Sequence, residues 1–526
     1  MYLNSRCKPW HPSFLHFAGV PGKYLFSLSR IKLLTLRWCA SLPDSLRPFR
    51  QALPPPTSER GYNVQYPAIH WLNDDTLLGV FDCYRLDEEN GWNDRLGWCK
   101  LSHVCRRWRY LVHECAFHLG MHIKCTNGSP MLETLDHLPQ MPLSIDYGHT
   151  RSGVTLTEQD ELRIYHILRL HDRVLHIDLN LPPSILRKVI MLLDQRFPML
   201  KHLSLTFSAT RRDSLPLTLP KAFLAPNLRH LTLPGISPPR RLQLLTSTVS
   251  LVTLELRNIE ASNYSRPRLL VARLRSLPQL KELCIGFSTP IPHPSTEREL
   301  LGDKGAPVTL PSLKTLRFKG VGTYLESIVA QIRVPLLEQL DITLFNQLAF
   351  VLPHLFRLIN STLAFMLRST AVGFGRNEVF VTTDHHGPPW TGFIPAPFLF
   401  LVTCKQLDRQ IDCASQICNA LIPLLRCVDH FSFEYSSEYQ ISTALEIGAI
   451  DYLTWHELLR SLKGVNHLYI PKGLLEELSR ALRVDEVGSD PGFLRNLRSI
   501  HASDNRFTPF IDTRQAVGRP VRFVKW

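Results

Sequence analysis

The chain has no Cys-x-x-Cys pair among its twelve cysteines, no uninterrupted apolar run of membrane-spanning length, and no glycine-rich loop of the kind that cradles phosphate. Scattered cysteines exclude a disulfide framework and the usual structural zinc site, and fit reduced thiols. Without a long apolar run there is no spanning helix and no membrane partner, so the expected compartment is cytoplasmic or nuclear. Gly373-Phe374-Gly375 lacks the third glycine, the helix start and the later acid of a dinucleotide site. His385-His386 and the Cys413, Cys418, Cys427 group suggest a metal, but Cys413 and Cys418 fall near one face of an apolar helix with Ile417, Leu421 and Leu425. Cysteine there serves as a small hydrophobe. The sequons at Asn127, Asn263 and Asn360 would not meet a glycosyltransferase inside the cell. No enzyme class emerges, and no catalytic residue, cofactor or metal is expected.

Acidic residues are scarce at the start. Residues 1–60 hold two, against nine Lys or Arg, so half of the formal charge of +14 lies in a tenth of the chain. The remainder is only mildly basic, which argues for a solvated charge excess and against a nucleic-acid partner. Residues 1–62 read as a basic, disordered extension, with Pro54-Pro55-Pro56 as a stiff boundary. A transit peptide, or residues translated from a misplaced start, are the other readings of this stretch. A chain of 526 residues exceeds what one core holds, so at least two structural units are expected.

The first unit is expected at 63–125. Leu72, Leu77, Leu78, Val80 and Phe81 form one apolar cluster, readable as a short helix capped by Asn73 or Asp74. Leu101, Val104, Cys105, Trp108, Leu111 and Val112, continued to Cys115 and Leu119, recur at helical spacing and predict a second helix. Lys100, Arg106, Arg107 and Arg109 lie mostly off that stripe and give it a basic outer face. The polar stretch Leu86 to Gly97 reads as a surface excursion, tolerable because lengthening a solvated loop costs only logarithmically.

From Val174 onward one template recurs: apolar, two residues, apolar, one residue, apolar. It fits Val174-Ile177-Leu179, Leu200-Leu203-Leu205, Leu228-Leu231-Leu233, Leu251-Leu254-Leu256, Leu280-Leu283-Ile285, Leu313-Leu316-Phe318 and Leu337-Leu340-Ile342. It returns at Val428-Phe431-Phe433, Val465-Leu468-Ile470 and Leu497-Ile500-Ala502. The first seven start 26, 28, 23, 29, 33 and 24 residues apart, and spacings in the twenties are the leucine-rich-repeat period. Pro198, Pro226, Pro278, Pro311 and Pro335 each stand two residues before a template and are expected to end the preceding helix and force an extended entry. The fold class is therefore α/β: a small helical unit, then an irregular solenoid of short parallel strands alternating with helices or loops over 173–505. Residues 126–172 are expected as linker and first helices, with Thr157 and Asp160 as a capping pair, and 506–526 as a cap or tail. Between the seventh and eighth templates, a hairpin around Arg376-Asn377 and a buried strand at Phe398 to Cys404 predict about three divergent units.

The string Pro67, Leu72, Asn73, Asp74, Asp75, Leu77, Leu78, Val80, Phe81, followed by Leu101 to Leu111 reading LSHVCRRWRYL, resembles an F-box. The closing half matches best. Asn73-Asp74 stand where the usual opening has proline, and Leu86 to Gly97 is an insert. With MLETLDHLPQMPLS at Met131 to Ser144, the segment resembles the F-box-like proteins numerous in mushroom-forming fungi. The resemblance implies a substrate-recognition adaptor of an SCF-type (cullin-RING) ubiquitin ligase. The helices would dock a Skp-family adaptor, and through it cullin, by Leu72, Leu77, Leu78, Phe81, Val104, Cys105 and Trp108, some of which pack internally; the solenoid would bind an unidentified protein substrate. The alternative is a leucine-rich scaffold whose degenerate F-box does not engage the ligase.

Overall fold

The computed structural model describes residues 72–89, 99–116, 119, 121–126, 135, 141–148, 156–207, 217–237, 243–260, 264–290, 307–345, 351–362, 369–375, 377–383, 397–404, 407–435, 452–483 and 493–526. The basic extension at 1–62 and His385-His386 lie outside them. The chain divides into two units, Met1–Cys115 and Ala116–Trp526.

In the first unit the described helices are α1 (Asp74–Glu89), α2 (Cys99–Ser102) and α3 (Arg106–Glu114). Asn73 is the cap of α1, its Oδ1 accepting from the Thr76 amide at 2.8 Å. The helix runs on to Glu89, into the expected excursion: it contains no proline, and the single glycine within it, Gly79, does not end it. The stripe from Leu101 is two helices and not one. Cys105 is extended (φ −159°, ψ 172°) and caps α3, its Sγ accepting from the Trp108 amide at 3.5 Å. The Arg109 side chain reaches back across the break, Nε donating to the Ser102 carbonyl at 3.0 Å and satisfying a helix-end acceptor of α2.

Sixteen strands of the second unit form one sheet. They are β1 (Ile123–Cys125), β2 (Leu143–Tyr147), β3 (Val174–Leu181), β4 (His202–Phe207), β5 (His230–Thr232), β6 (Thr253–Ile259), β7 (Glu282–Phe287) and β8 (Thr315–Gly320). There follow β9 (Gln339–Phe345), β10 (Ser369–Phe374), β11 (Glu378–Thr383), β12 (Phe398–Thr403), β13 (His430–Tyr435), β14 (His467–Ile470), β15 (Ser499–Ala502) and β16 (Arg522–Lys525). In space the order is β1 to β9, then β12, β11, β10, then β13 to β16, and only the pairs β10–β11 and β11–β12 are antiparallel. Helices α4 (Glu158–Arg169), α5 (Pro183–Leu192), α6 (Leu407–Ala420) and α7 (Thr508–Ala516) are among the connections. Two-residue parallel ladders, Leu217–Thr218 with Ile236–Ser237 and Val308–Thr309 with Ile332–Arg333, tie neighbouring connections together, some of which also hold helices such as Gly322–Val329. A mostly parallel sheet in which strands pair with their sequence neighbours, except where β9 meets β12 and β10 meets β13, is the arrangement of a leucine-rich-repeat-like solenoid.

All thirty template residues are buried, none more than 4% exposed. Register stacks them in rows: Ile177, Leu203, Leu231, Leu254, Leu283, Leu316 and Leu340 are successive cross-strand partners. Each unit is too small to bury such a face alone, and its neighbours complete it.

The prolines work differently from the expectation. Each sits inside a tight turn whose fourth residue, the first template position, donates back: Leu200 to Phe197, Leu228 to Ala225, Leu280 to Leu277, Leu313 to Leu310 and Leu337 to Val334, at 3.1–3.4 Å. Proline is therefore the second turn residue, where its fixed φ is pre-set and no amide is needed. The same turn recurs without proline before Leu251, Val428, Val465 and Leu497, so the turn defines the repeat and proline stiffens it.

The sheet extends beyond the templates. β2 occupies the stretch expected as linker, β1 takes residues expected at the end of the first unit, which instead closes at Cys115, and β16 pairs with β15 in the expected tail. Of these, β1 and β16 are the ends of the described sheet, where a capping strand need not carry the repeat's template. Thr157 and Asp160 form the full capping box of α4. The three strands expected between Leu337 and Val428 do keep the sheet continuous, but as a reversed antiparallel meander, β10–β12, and not as further parallel units. Gly373 is small because the Phe380 ring lies over it; a Cβ there would come 2.0 Å from that ring.

Candidate functional site

The first unit spends most of its large apolar side chains on itself. Leu77, Phe81, Leu101, Trp108, Leu111 and Val112 are buried, and the Trp108 ring meets Phe81 edge-on with centroids 4.9 Å apart. Of the seven residues named for docking, Leu77, Phe81 and Trp108 are thus interior, Leu72, Leu78 and Cys105 are half-buried, and Val104 is 45% exposed. Tyr110, off the apolar stripe, is 64% exposed and was not singled out by sequence; its only signal is a large aromatic at a solvent-facing helical position. Arg107, expected on a basic outer face, instead clamps two helix starts: Nη2 donates to Asp74 Oδ1 at 2.6 Å and to the Leu72 carbonyl at 2.7 Å. The acid that departs from the F-box opening therefore has a structural partner.

In the second unit the residues between the buried rows form the other face of the sheet. Here imidazoles stack. His176 and His202 are adjacent in register with rings 4.1 Å apart and nearly parallel, and His230 follows at 5.7 Å. At the far end His430 stacks on His467 at 4.6 Å. His467 Nδ1 and His501 Nε2 each lie 2.7 Å from Ser499 Oγ, and Tyr469 stacks on His501 at 4.3 Å. His176, His202, His230, His430 and His467 all occupy the second place after a template start, so aligning the repeats would have found this row from sequence. Between the clusters Arg257 pairs with Glu255, Arg317 Nε donates to Asp341 at 3.1 Å, and Lys319 lies 5.7 Å from the Phe345 ring centroid. Strand β6 carries an irregularity here, with Asn258 at φ 54°, a left-handed value that asparagine tolerates better than most residues.

Among the described residues no carboxylate is bonded to either imidazole beside Ser499, so the arrangement they form is a hydrogen-bonded row. Among the described residues no three His, Cys, Asp or Glu are placed to hold a metal, and no helix is long and apolar enough to cross a membrane. Cys413 and Cys418 are fully buried on α6, while Cys427 is exposed. What the face offers is a ridged polar surface with two imidazole-bearing ends and an ion-paired middle.

Stacked imidazoles tolerate each other only when neutral. Burial, then the neighbouring His202, pushes His176 down to about 3, and burial also lowers His202 and His230. His122, Lys124 and Arg229 add positive charge around the row, while Asp146, Asp178 and Glu282 oppose it. An unfolded histidine binds its proton near pH 6.5 and folded His176 does not, so the stabilisation is complete above that pH and is lost as pH falls from 6.5 toward 3. Thermal melts from pH 7.5 to 4 are expected to show a falling Tm, with a shallower fall in His176→Asn. Parallel curves for the two proteins would remove His176 as a cause.

No family model matches the chain, and no curated protein does. Among solved structures, the crystal structure of the TLR13–ssRNA13 complex, TLR13 being a leucine-rich-repeat protein, is similar at 12% identity with a TM-score of 0.24. The likeness covers 65% of this chain and 44% of that one, so the chain spans less than half the length of that structure. At that TM-score the likeness carries no weight, and the fold rests on strand order and register.

Proposed function

We propose that the chain is a substrate-recognition adaptor of an SCF-type ubiquitin ligase, its first helices docking a Skp-family adaptor and its sheet holding a target protein. The observation that carries this reading is Leu101 to Leu111, LSHVCRRWRYL, whose resemblance to the closing half of an F-box is joined by a packed helical setting. Trp108 and Phe81 form an interior pair, while Val104 and Tyr110 are left at the surface. Internal packing of Leu77, Phe81 and Trp108 concentrates the docking role on Leu72, Leu78, Val104, Cys105 and Tyr110. The target side is the imidazole-bearing face of the sheet, a broad surface on rigid strands of the kind repeat proteins use for binding. Ligation chemistry would belong to the partners.

The second reading is a scaffold with a silent F-box, motivated by Asn73-Asp74 at the altered opening, where Arg107 binds Asp74. Titrating the full chain with purified Skp-family adaptor separates the two. The adaptor reading expects saturable binding that Val104→Glu abolishes without changing the melting curve. Absence of binding by the folded wild type establishes the scaffold.

A further inference from the structure

The second unit contains a cleft that the adaptor reading does not use. About 490 Å³ in volume, it is lined by Asn466, Arg495, Asn496, Leu497, Arg498, Arg514, Arg519 and Pro520. Four arginines and two asparagines are among the lining residues, and no carboxylate is. Its walls come from the entries of β14, β15 and β16 and from the C-terminal end of α7. The nearby carboxylate of Asp429 is engaged by Asn466 Nδ2 at 2.8 Å.

Arg514 is the anchor. It is 5% exposed, and its guanidinium donates to the carbonyls of Phe493, Leu494 and Arg495 at 3.3, 3.2 and 3.5 Å, leaving Nε without a partner. A buried cation is ordinarily matched by a carboxylate; the charge felt by Arg514 is that of another cation, Arg519. The surrounding backbone is held in unusual shapes. Leu494 has φ 41°, a left-handed value that a branched residue adopts only when its surroundings impose it, and Arg514 binds the carbonyl of that residue. Gly518 at φ 77° closes the end of α7, and the Arg519 amide bonds the Arg514 carbonyl at 2.8 Å, which sets Arg519 beside the cleft. Guanidinium forks are suited to planar or tetrahedral oxyanions, and here the fork of Arg514 is held against three carbonyls while Arg498 is exposed beside it. The volume lies within the range of small-molecule pockets and far exceeds one water-sized ion.

We infer that this cleft is a binding site for a small anion carrying two or more phosphoryl groups, with Arg498 and Arg519 as direct ligands and Arg514 fixing the wall behind them. The site is independent of the helices in the first unit, so it stands or falls apart from the adaptor reading.

The probe is inorganic tripolyphosphate, titrated calorimetrically into the full chain, with inorganic phosphate and chloride at matched ionic strength as comparisons. The expected result is saturable binding of tripolyphosphate, tighter than phosphate, weakening with added salt, and a rise in Tm on binding. Arg498→Gln and Arg519→Gln are each expected to weaken it about tenfold or more, the size of a lost charge-assisted hydrogen bond. Arg495→Gln, at an exposed position, gives a second variant should either of these fail to fold. No saturation by the folded wild type, equal affinity for phosphate and tripolyphosphate, or undiminished affinity in folded arginine variants overturns the assignment.

Discussion

Replacing Leu316 by aspartate is expected to abolish the cooperative melting of the repeat unit, while the same replacement at adjacent Thr315 leaves a cooperative transition. Leu316 is 2% exposed on β8 and lies in register between Leu283 and Leu340. Removing a buried leucine costs about 2–5 kcal/mol, and an unpaired carboxylate in its place adds several more. Net stabilities run to only about 5–15 kcal/mol. Thr315 points to the other face, between Glu282 and Gln339. A carboxylate opposite Glu282 costs at most about 1 kcal/mol. Circular dichroism melts of the two variants check the side assignment of the whole row, because a one-residue slip would exchange the two outcomes.

Trp108→Ala is expected to unfold the first unit and leave the second standing. The ring is 3% exposed and packs on Phe81, and truncating such an aromatic costs about 3–5 kcal/mol. That loss is large for a few short helices. Limited proteolysis should cleave within residues 72–115 and release a resistant fragment beginning after Cys115, with Skp-family binding gone. Val104→Glu should remain as resistant as wild type and also lose binding. Wild-type resistance in Trp108→Ala would show that the helices do not depend on the Phe81–Trp108 pair.

The repeat was legible because it is redundant. A single Leu-x-x-Leu-x-Leu fits a helix as well as a strand; ten of them, with prolines in phase, select stacked strands. The antiparallel pair β10–β11 was legible as a hairpin around Arg376-Asn377, but the reversed order that sets β12 beside β9 was not, since Val379-Val381 and Phe398-Phe400 alternate in the same way whichever neighbour they pair with. Sequence period fixes which face is buried and leaves strand order to distant contacts. In the first unit the apolar stripe located the buried residues but hid the break at Cys105, because a cap of extended backbone falls between two helical segments without changing the spacing of Leu101 and Trp108. The arginine cleft was hidden for a related reason: Arg498 and Arg514 are sixteen positions apart, and only the pairing of β15 with β16 and the turn at Gly518 bring them together.

Hydrogen–deuterium exchange of the full chain, with and without a purified Skp-family adaptor, tests the adaptor reading most directly. Slowed exchange confined to the segments around Leu72–Leu78 and Val104–Tyr110, with the strands unchanged, is the predicted result. Unchanged exchange throughout at saturating adaptor, or protection only on the strands of the sheet, would contradict it and leave the chain as a leucine-rich scaffold.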